Sequence, residues 1–339
     1  MPSVKDLQIE REPTATELGR GRFHFSDAYS VFDWGEMPDA IPGKGASLCS
    51  MGASTFETLE AEGVPTHYRG VGPEATPIAE VSEPPNEMAI ELTRVPPLPF
   101  EDGSYDYEAF HDTAGDNYLI PLEIVFRNRV PIGSSLRRRT EPTDHELDFA
   151  EWPDHAVELA VPIVECSTKF EESDRYLGPE EADRIAGQAA LSELREIARD
   201  VNDTITRRAK AAGLEHLDGK IECLYHQGEI KVADVAGTLD ENRFAYEGHQ
   251  LSKEVIRQYY RRSDSDWVTA LTEAKSEAKA AGVADWRTIC EREPDRLPEN
   301  VHEAIADMYG ATANAYLDTY LFDAPPLSAV VATIEELEY

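Results

Sequence analysis

The chain has 339 residues, long enough to bury a sizeable core in one to three domains. Its 66 acidic and 32 basic side chains leave a net charge of −34, which argues against nucleic acid and anionic membranes as partners. A hydrophobic fraction of 41% with 9% aromatics argues for a folded chain rather than an acidic disordered one, and such a surface suits a salt-adapted, halophile-type protein of the cytoplasm.

Residues 1–16 are polar and read as a flexible lead-in. Glu17-Leu18-Gly19-Arg20-Gly21-Arg22 reads as a turn whose glycines let backbone N–H groups approach phosphates, and residues 23–34 as a strand and turn. Residues 45–63 read as a helix closed by Gly63, and 68–88, rich in Pro, Gly and Glu, as loop or edge. Met88 to Val95 alternates as a strand. Residues 96–117 look like an acidic insertion between two strands. Leu122 to Phe126 is a buried strand running into Arg127-Asn128-Arg129 and a Gly133-Ser134 turn. One long helix is expected from Pro179 to Ala212, with Gly213 past its end and Ile185, Ala189, Leu194, Ile197, Val201 and Ile205 in one apolar stripe. A hairpin follows at His226-Gln227-Gly228, and a helical tail begins near Asp264, interrupted at Pro294 and Pro298. The four cysteines are far apart, with no C-x-x-C pair, which argues against zinc and against a disulfide framework. His67 and His216 read as structural. There is no apolar signal core and no apolar run of membrane-spanning length.

Two segments carry the chemistry. Arg127 offers a planar fork suited to carboxylate or phosphate, and Gly133-Ser134 offers N–H groups and a hydroxyl to the same kind of anion. On the first strand of the hairpin, Asp218, Lys220 and Glu222 alternate and so share a face. A magnesium nucleotide needs one or two carboxylates for the metal and a cation for the phosphates, and the hairpin supplies Glu222, Asp234 and Lys220. For Glu222 and Asp234 to share a face by regular pairing, the hairpin needs a three-residue loop with Gly228 at positive φ and Lys220 opposite Asp234. Lysine occurs only nine times, and Lys44, Lys169, Lys220 and Lys253 all fall in chemistry-bearing segments.

In order along the chain, these pieces resemble the SAICAR synthetase family. They are Ser26 to Asp33, Ile41-Pro42-Gly43-Lys44-Gly45, Pro121-x-Glu123-x-x-x-Arg127 with Gly133-Ser134, Ser167-Thr168-Lys169 with Asp174, Asp218-x-Lys220-x-Glu222 with Asp234, Asp240 to Phe244, and Leu251 to Arg257. Arginine stands where the family's nucleotide loop has lysine, and Val235 stands where an acidic residue commonly follows the metal Asp. The resemblance implies an α+β fold with two lobes of antiparallel sheet and helices. An ATP-grasp- or kinase-like nucleotide cleft would lie between a lobe of residues 1–130 and a lobe of residues 131–339. It implies ATP-dependent joining of CAIR (5-aminoimidazole-4-carboxylate ribonucleotide) to L-aspartate, with Mg2+ as cofactor, and leaves a homo-oligomer open. By the same resemblance Glu222 and Asp234 hold the metal, and Lys220 and Asp218 sit at the reacting carboxylate. Arg127, Ser134 and Arg243 bind the nucleotide substrate, with Lys44, Asp33 and Asp174 also at the substrate site. Arg20, Arg22, Lys169 and Glu123 face ATP. Two rivals are a small-molecule kinase on the same scaffold and a non-catalytic nucleotide-binding relative; Lys220, Glu222 and Asp234 disfavour the second, and Arg127, Ser134 and Arg243 the first.

Overall fold

The structure is a computed structural model that describes residues 5–337 apart from 102, 173, 282 and 284. Its first sheet begins where the sequence suggested a loose lead-in. β1 (Lys5–Arg11) pairs antiparallel with β2 (Gly19–Phe25), Lys5 standing opposite Phe25. The expected glycine turn is therefore strand. A Cβ on Gly19 would lie 2.3 Å from the Arg11 carbonyl oxygen, and one on Gly21 2.9 Å from that of Gln8. Both glycines are explained by this close approach of β1, which is what sequence alone hides. Phe23 and Phe25 alternate into the core, which helix α1 (Lys44–Ala61) covers. Gly63 ends that helix region at φ 88, as its position suggested. β3 (Tyr68–Val71) and β4 (Glu87–Leu92) complete a four-stranded sheet in the order β1-β2-β4-β3.

The acidic insertion is built, not loose. β5 (Phe100–Glu101) and β6 (Ser104–Tyr105) form a small ribbon, and α2 (Tyr107–Ala114) follows. Asp106 caps α2 by accepting from the Ala109 N–H at 2.9 Å. Phe110 and Ala114 carry the helix into the main core.

The larger sheet has seven strands, all paired antiparallel. β7 (Asn117–Leu119) and β8 (Leu122–Val130) enter it first; a short α3 (Leu136–Arg139) then leads to the edge strand β9 (Val157–Thr168). The change of sheet thus falls before residue 117, so the division expected at 130 does not coincide with it. The single long helix expected at 179–212 is two, α4 (Pro179–Ala186) and α5 (Leu191–Ala211). At the break Gly187 takes φ 74, and the Tyr118 hydroxyl donates to the Ala186 carbonyl at 2.8 Å while accepting from the Gln188 N–H at 2.9 Å. A tyrosine from another element substitutes for the lost helical bonds, and nothing in the local sequence announces it. The apolar stripe is nonetheless buried from Ile185 to Ile205.

β10 (Glu215–His226) is the central strand. β11 (Glu229–Ala233) and β12 (Asn242–Tyr246) both pair with it, and β13 (His249–Leu251) closes the order β13-β12-β10-β8-β9. Helices α6 (Glu254–Ser263), α7 (Ser265–Ala281), α8 (Glu299–Leu317) and α9 (Leu327–Leu337) follow. Pro298 precedes α8, as the expected break required. Trp267 of α7 is fully buried against Phe32, Trp34 and Tyr260. No described helix is long and apolar enough to cross a membrane.

Candidate active site

The site grows from one face of the larger sheet. Register places Arg127 of β8 and Arg243 of β12 on either side of Asp218 in β10. Counting by two along β10 then brings Lys220 and Glu222 to the same face, while Ile221 and Cys223 go to the core. Glu123 and Arg127 share that face from β8, and Glu165 from β9.

At one end of this face the charges interlock. Lys220 donates to Glu123 at 2.5 Å and lies 3.2 Å from Glu241 and 3.6 Å from Glu222. Lys169 bonds Glu222 at 2.5 Å. Lys5, which nothing in its local sequence marks, reaches in from β1 and pairs with Asp234 at 2.5 Å. Burial alone would lower Lys220, but Glu241, Glu222 and Glu123 together hold it above its ordinary value. Glu222 behaves oppositely: burial and then the charge of Asp234 push its carboxyl up to about 7. Asp234 stays low although buried, because Lys5, Lys169 and Lys220 stabilise its charge. Asp174 belongs to this electrostatic group as well; burial, then Glu123, raises it.

The route by which Asp234 arrives differs from the expected one. His226 pairs with Glu229 and Glu222 with Ala233, so the hairpin has a two-residue loop, Gln227-Gly228, and Lys220 is not opposite Asp234. Gln227 at φ 50 and Gly228 at φ 91 are both left-handed, as a tight primed turn requires. Strict alternation would send Asp234 to the face opposite Glu222. It does not apply, because Asp234 lies just past the strand at φ 60, where the pleat ends. The Nε2–H of His67 donates to the Asp234 carbonyl at 3.0 Å and holds that bend.

A second group surrounds Asp218. Arg243 grips it with a fork of bonds at 2.8 and 2.6 Å. Arg127, 4% exposed, bonds Glu165 at 2.9 Å and the Tyr176 hydroxyl at 3.2 Å, and lies 3.7 Å from Asp218. Arg139 bonds Glu165 from the other side and stacks on Tyr176. Beside them is a cavity of about 190 Å³ lined by Arg129, Asp218, Arg243 and Gln250 among others. Arg129, Glu165 and Arg139 were not singled out in the sequence, although Arg129 sits in the same Arg-Asn-Arg run.

The remaining expected residues divide. Ser134 is buried in the turn into α3, where its hydroxyl accepts from the Leu136 N–H. Lys44, 1% exposed, bonds Asp240 at 2.9 Å beneath the Tyr309 ring. Asp33 is exposed and paired with Lys275. Arg20 points to solvent from β2. Arg22 bonds Glu10 and the carbonyls of Gly72 and Pro73, none of which belongs to the lysine–carboxylate group. The structure thus brings Lys220, Glu222, Asp234, Lys169, Glu123 and Asp174 together, and Arg127, Asp218 and Arg243 together, and leaves Arg20 and Arg22 outside both.

Among the described residues no set of three or more His, Cys, Asp and Glu side chains gathers as a complete metal cage. The donor set suits a magnesium ion of another kind, held by one or two carboxylates and completed by phosphate and water. Glu222 and Asp234 are such a pair, and the strain between their charges is what a divalent cation would relieve.

The SAICAR synthetase family model matches residues 14–274. A protein of Archaeoglobus fulgidus, provisionally named a phosphoribosylaminoimidazole-succinocarboxamide synthase, is 41% identical over 99% of both chains. The synthase of that name from Thermoplasma acidophilum is 30% identical, covering 85% of this chain and 89% of its own. Among solved structures, the Saccharomyces cerevisiae SAICAR synthase complexed with SAICAR has a TM-score of 0.61 over 94% of each chain at 19% identity. A SAICAR synthetase in complex with ADP has a TM-score of 0.54 over 87% of this chain and 99% of its own, at 21% identity. These two share the α+β fold. By its sequence, and with this fold, the chain belongs to the SAICAR synthetase family, ATP-dependent ligases of purine biosynthesis.

Proposed function

We propose that this protein joins the carboxylate of CAIR to the amine of L-aspartate, with ATP cleaved to ADP and phosphate. The observation that carries this reading is the gathering of Lys5, Lys169 and Lys220 around the Glu222–Asp234 pair, next to a separate arginine pocket at Asp218. A carboxylate oxygen of CAIR attacks the γ-phosphorus and ADP leaves; the aspartate amine then attacks the acyl carbon, and phosphate leaves. Such a reaction asks the protein mainly to position its reactants and to neutralise charge.

Glu222 and Asp234 are the residues that would hold Mg2+, which when bound offsets the phosphate charge. Lys5 and Lys169, at the Asp234 and Glu222 carboxylates, face the ATP phosphates, and Lys5 takes the part that the resemblance implies for Arg20 and Arg22. Lys220, between Glu123 and Glu241, meets the reacting carboxylate. Arg243 and Arg129, which line the cavity, receive the phosphate of CAIR. Arg127 holds Asp218 and Glu165 in place beneath them.

The test is direct. Purified protein in molar KCl is given MgATP, CAIR and aspartate, and product absorbance and phosphate release are followed. The expected result is equal release of product and phosphate, dependent on all three substrates. Phosphate transfer to CAIR or another small molecule without aspartate incorporation would replace the ligase with a kinase.

A further inference from the structure

We infer that the 96–117 insertion is a positioning element of the nucleotide site: through Tyr105 and Tyr107 it clamps the segment that carries Lys169. The inference rests on the reading above that Lys169 faces ATP.

Lys169 is the first residue after β9, and the described residues from there to Arg175 belong to no helix or strand. This segment is closed at its base, where the Thr168 N–H donates to the Arg175 carbonyl and the Arg175 N–H to the Thr168 hydroxyl. What fixes its body comes from the insertion. The Tyr107 hydroxyl donates to Glu171 at 2.9 Å. The Glu172 N–H donates to the Tyr105 hydroxyl at 3.0 Å. Phe110 packs on Phe170 with ring centroids 6.0 Å apart, and the Lys169 ammonium lies 5.8 Å from the same Phe170 ring.

A clamp must itself be rigid, and this one is docked at several points. Phe110 is fully buried, and Tyr107 nearly so. His111 donates through Nε2 to the Ile185 carbonyl, and Arg94 donates to the carbonyls of Thr113 and Ala114. Glu171 is bound on its other side by the Arg175 fork, so one carboxylate links the insertion to both ends of the segment. Lys169 has four rotatable bonds and is paired with Glu222. Holding its backbone still is the least costly way to aim it.

The experiment uses the full chain with both hydroxyls removed, Tyr105→Phe and Tyr107→Phe together, which keeps the buried ring of Tyr107 and the half-buried ring of Tyr105. Amide hydrogen exchange over residues 168–176 is measured without ligand, and KM is measured separately for ATP, CAIR and aspartate. The expected result is faster exchange in that segment, KM for ATP raised roughly five- to tenfold, KM for CAIR nearly unchanged and an unaltered melting temperature. Unchanged exchange overturns the clamp. Faster exchange with unchanged KM for ATP overturns its link to the nucleotide, and a parallel loss of melting temperature and of affinity for all three substrates shows a merely structural role. Should the wild type not ligate CAIR, the functional reading fails, and calorimetric MgATP affinity still decides the clamp: weaker binding in the variant supports it, equal binding refutes it.

Discussion

Lys5 and Asp234 form an ion pair at 2.5 Å that joins the outer strand of the smaller sheet to the end of the central hairpin of the larger one. Both groups are half-buried, and Lys5 also feels the charges of Glu241 and Glu222, so the pair is partly screened from water. Replacing Lys5 by Met removes a cation from the proposed phosphate site while keeping the aliphatic stem. MgATP affinity, read by calorimetry, should fall about tenfold or more. Equal affinity would remove Lys5 from that site.

Asp234 can be tested without disturbing its backbone. Asparagine tolerates the left-handed conformation that Asp234 adopts, whereas alanine is strained there by about 1 kcal/mol. Asp234→Asn, which loses the charge that pairs with Lys5 but keeps the backbone, should melt below the wild type and above Asp234→Ala, and need at least about tenfold more Mg2+ for half-maximal activity. Asp234→Ala should show the same metal defect together with a lower melting temperature. A Mg2+ requirement unaltered in the Asn variant would exclude Asp234 as a ligand.

Arg127 is expected to matter for stability as well as for substrate. Arg127→Ala leaves Glu165 and Asp218 short of a buried cation, a loss on the order of 3–5 kcal/mol. CAIR affinity should drop far more than ATP affinity, because the residue borders the arginine pocket and not the lysine group. Arg127→Lys should recover little, since an ammonium cannot span Glu165, Tyr176 and Asp218 as a planar fork does. A variant whose ATP binding collapsed while CAIR binding survived would reverse the assignment.

Acid should unfold the protein partly through two histidines. Burial holds His67 and His216 down to about 4 from an ordinary 6.5. His216 has a donor role toward Asn242 through Nε2 and an acceptor role toward Thr206 through Nδ1, which only the neutral ring can fill. Because the folded values lie below the unfolded ones, the unfolded chain takes up protons first as pH falls. Stability from this source is complete above about pH 6.5 and is lost between there and about pH 4, on the order of 3 kcal/mol for each ring. Urea midpoints measured from pH 7 to 4.5 should fall less steeply for His67→Gln than for the wild type. Parallel slopes would count against the buried neutral ring.

The net charge of −34 leads to a salt prediction. Melting temperature should rise from dilute buffer to molar KCl as screening relieves self-repulsion. A melting temperature indifferent to KCl would refute salt adaptation.

Much of the site was legible because strand periodicity is simple. Asp218, Lys220 and Glu222 needed only alternation and Arg127 only its place at the mouth of a buried strand, whereas Arg243 came with the family resemblance. What escaped depended on contacts far apart in sequence. Lys5 stood in an unremarkable polar stretch, and its meaning came from a strand pairing with β2 that the glycines at 19 and 21 permit but do not declare. The two-residue hairpin loop departs from the expected three because the regular pleat ends before Asp234. Asp234 is left-handed, and its carbonyl is held by His67, more than 160 positions away. The split between α4 and α5 has the same character, resting on Tyr118.

The first helix shows what such distant pairing means for a chain emerging from the ribosome. α1 buries its face partly against α8, where Thr55 meets the Tyr316 hydroxyl, and Lys44 at its start waits for Asp240 and Tyr309. None of these partners exists until most of the polypeptide has been synthesised. The packing of α1 on its own sheet can form early, but its contact with α8 is completed only late in synthesis, and until then that part of the helix stays accessible to chaperones and to neighbouring nascent chains.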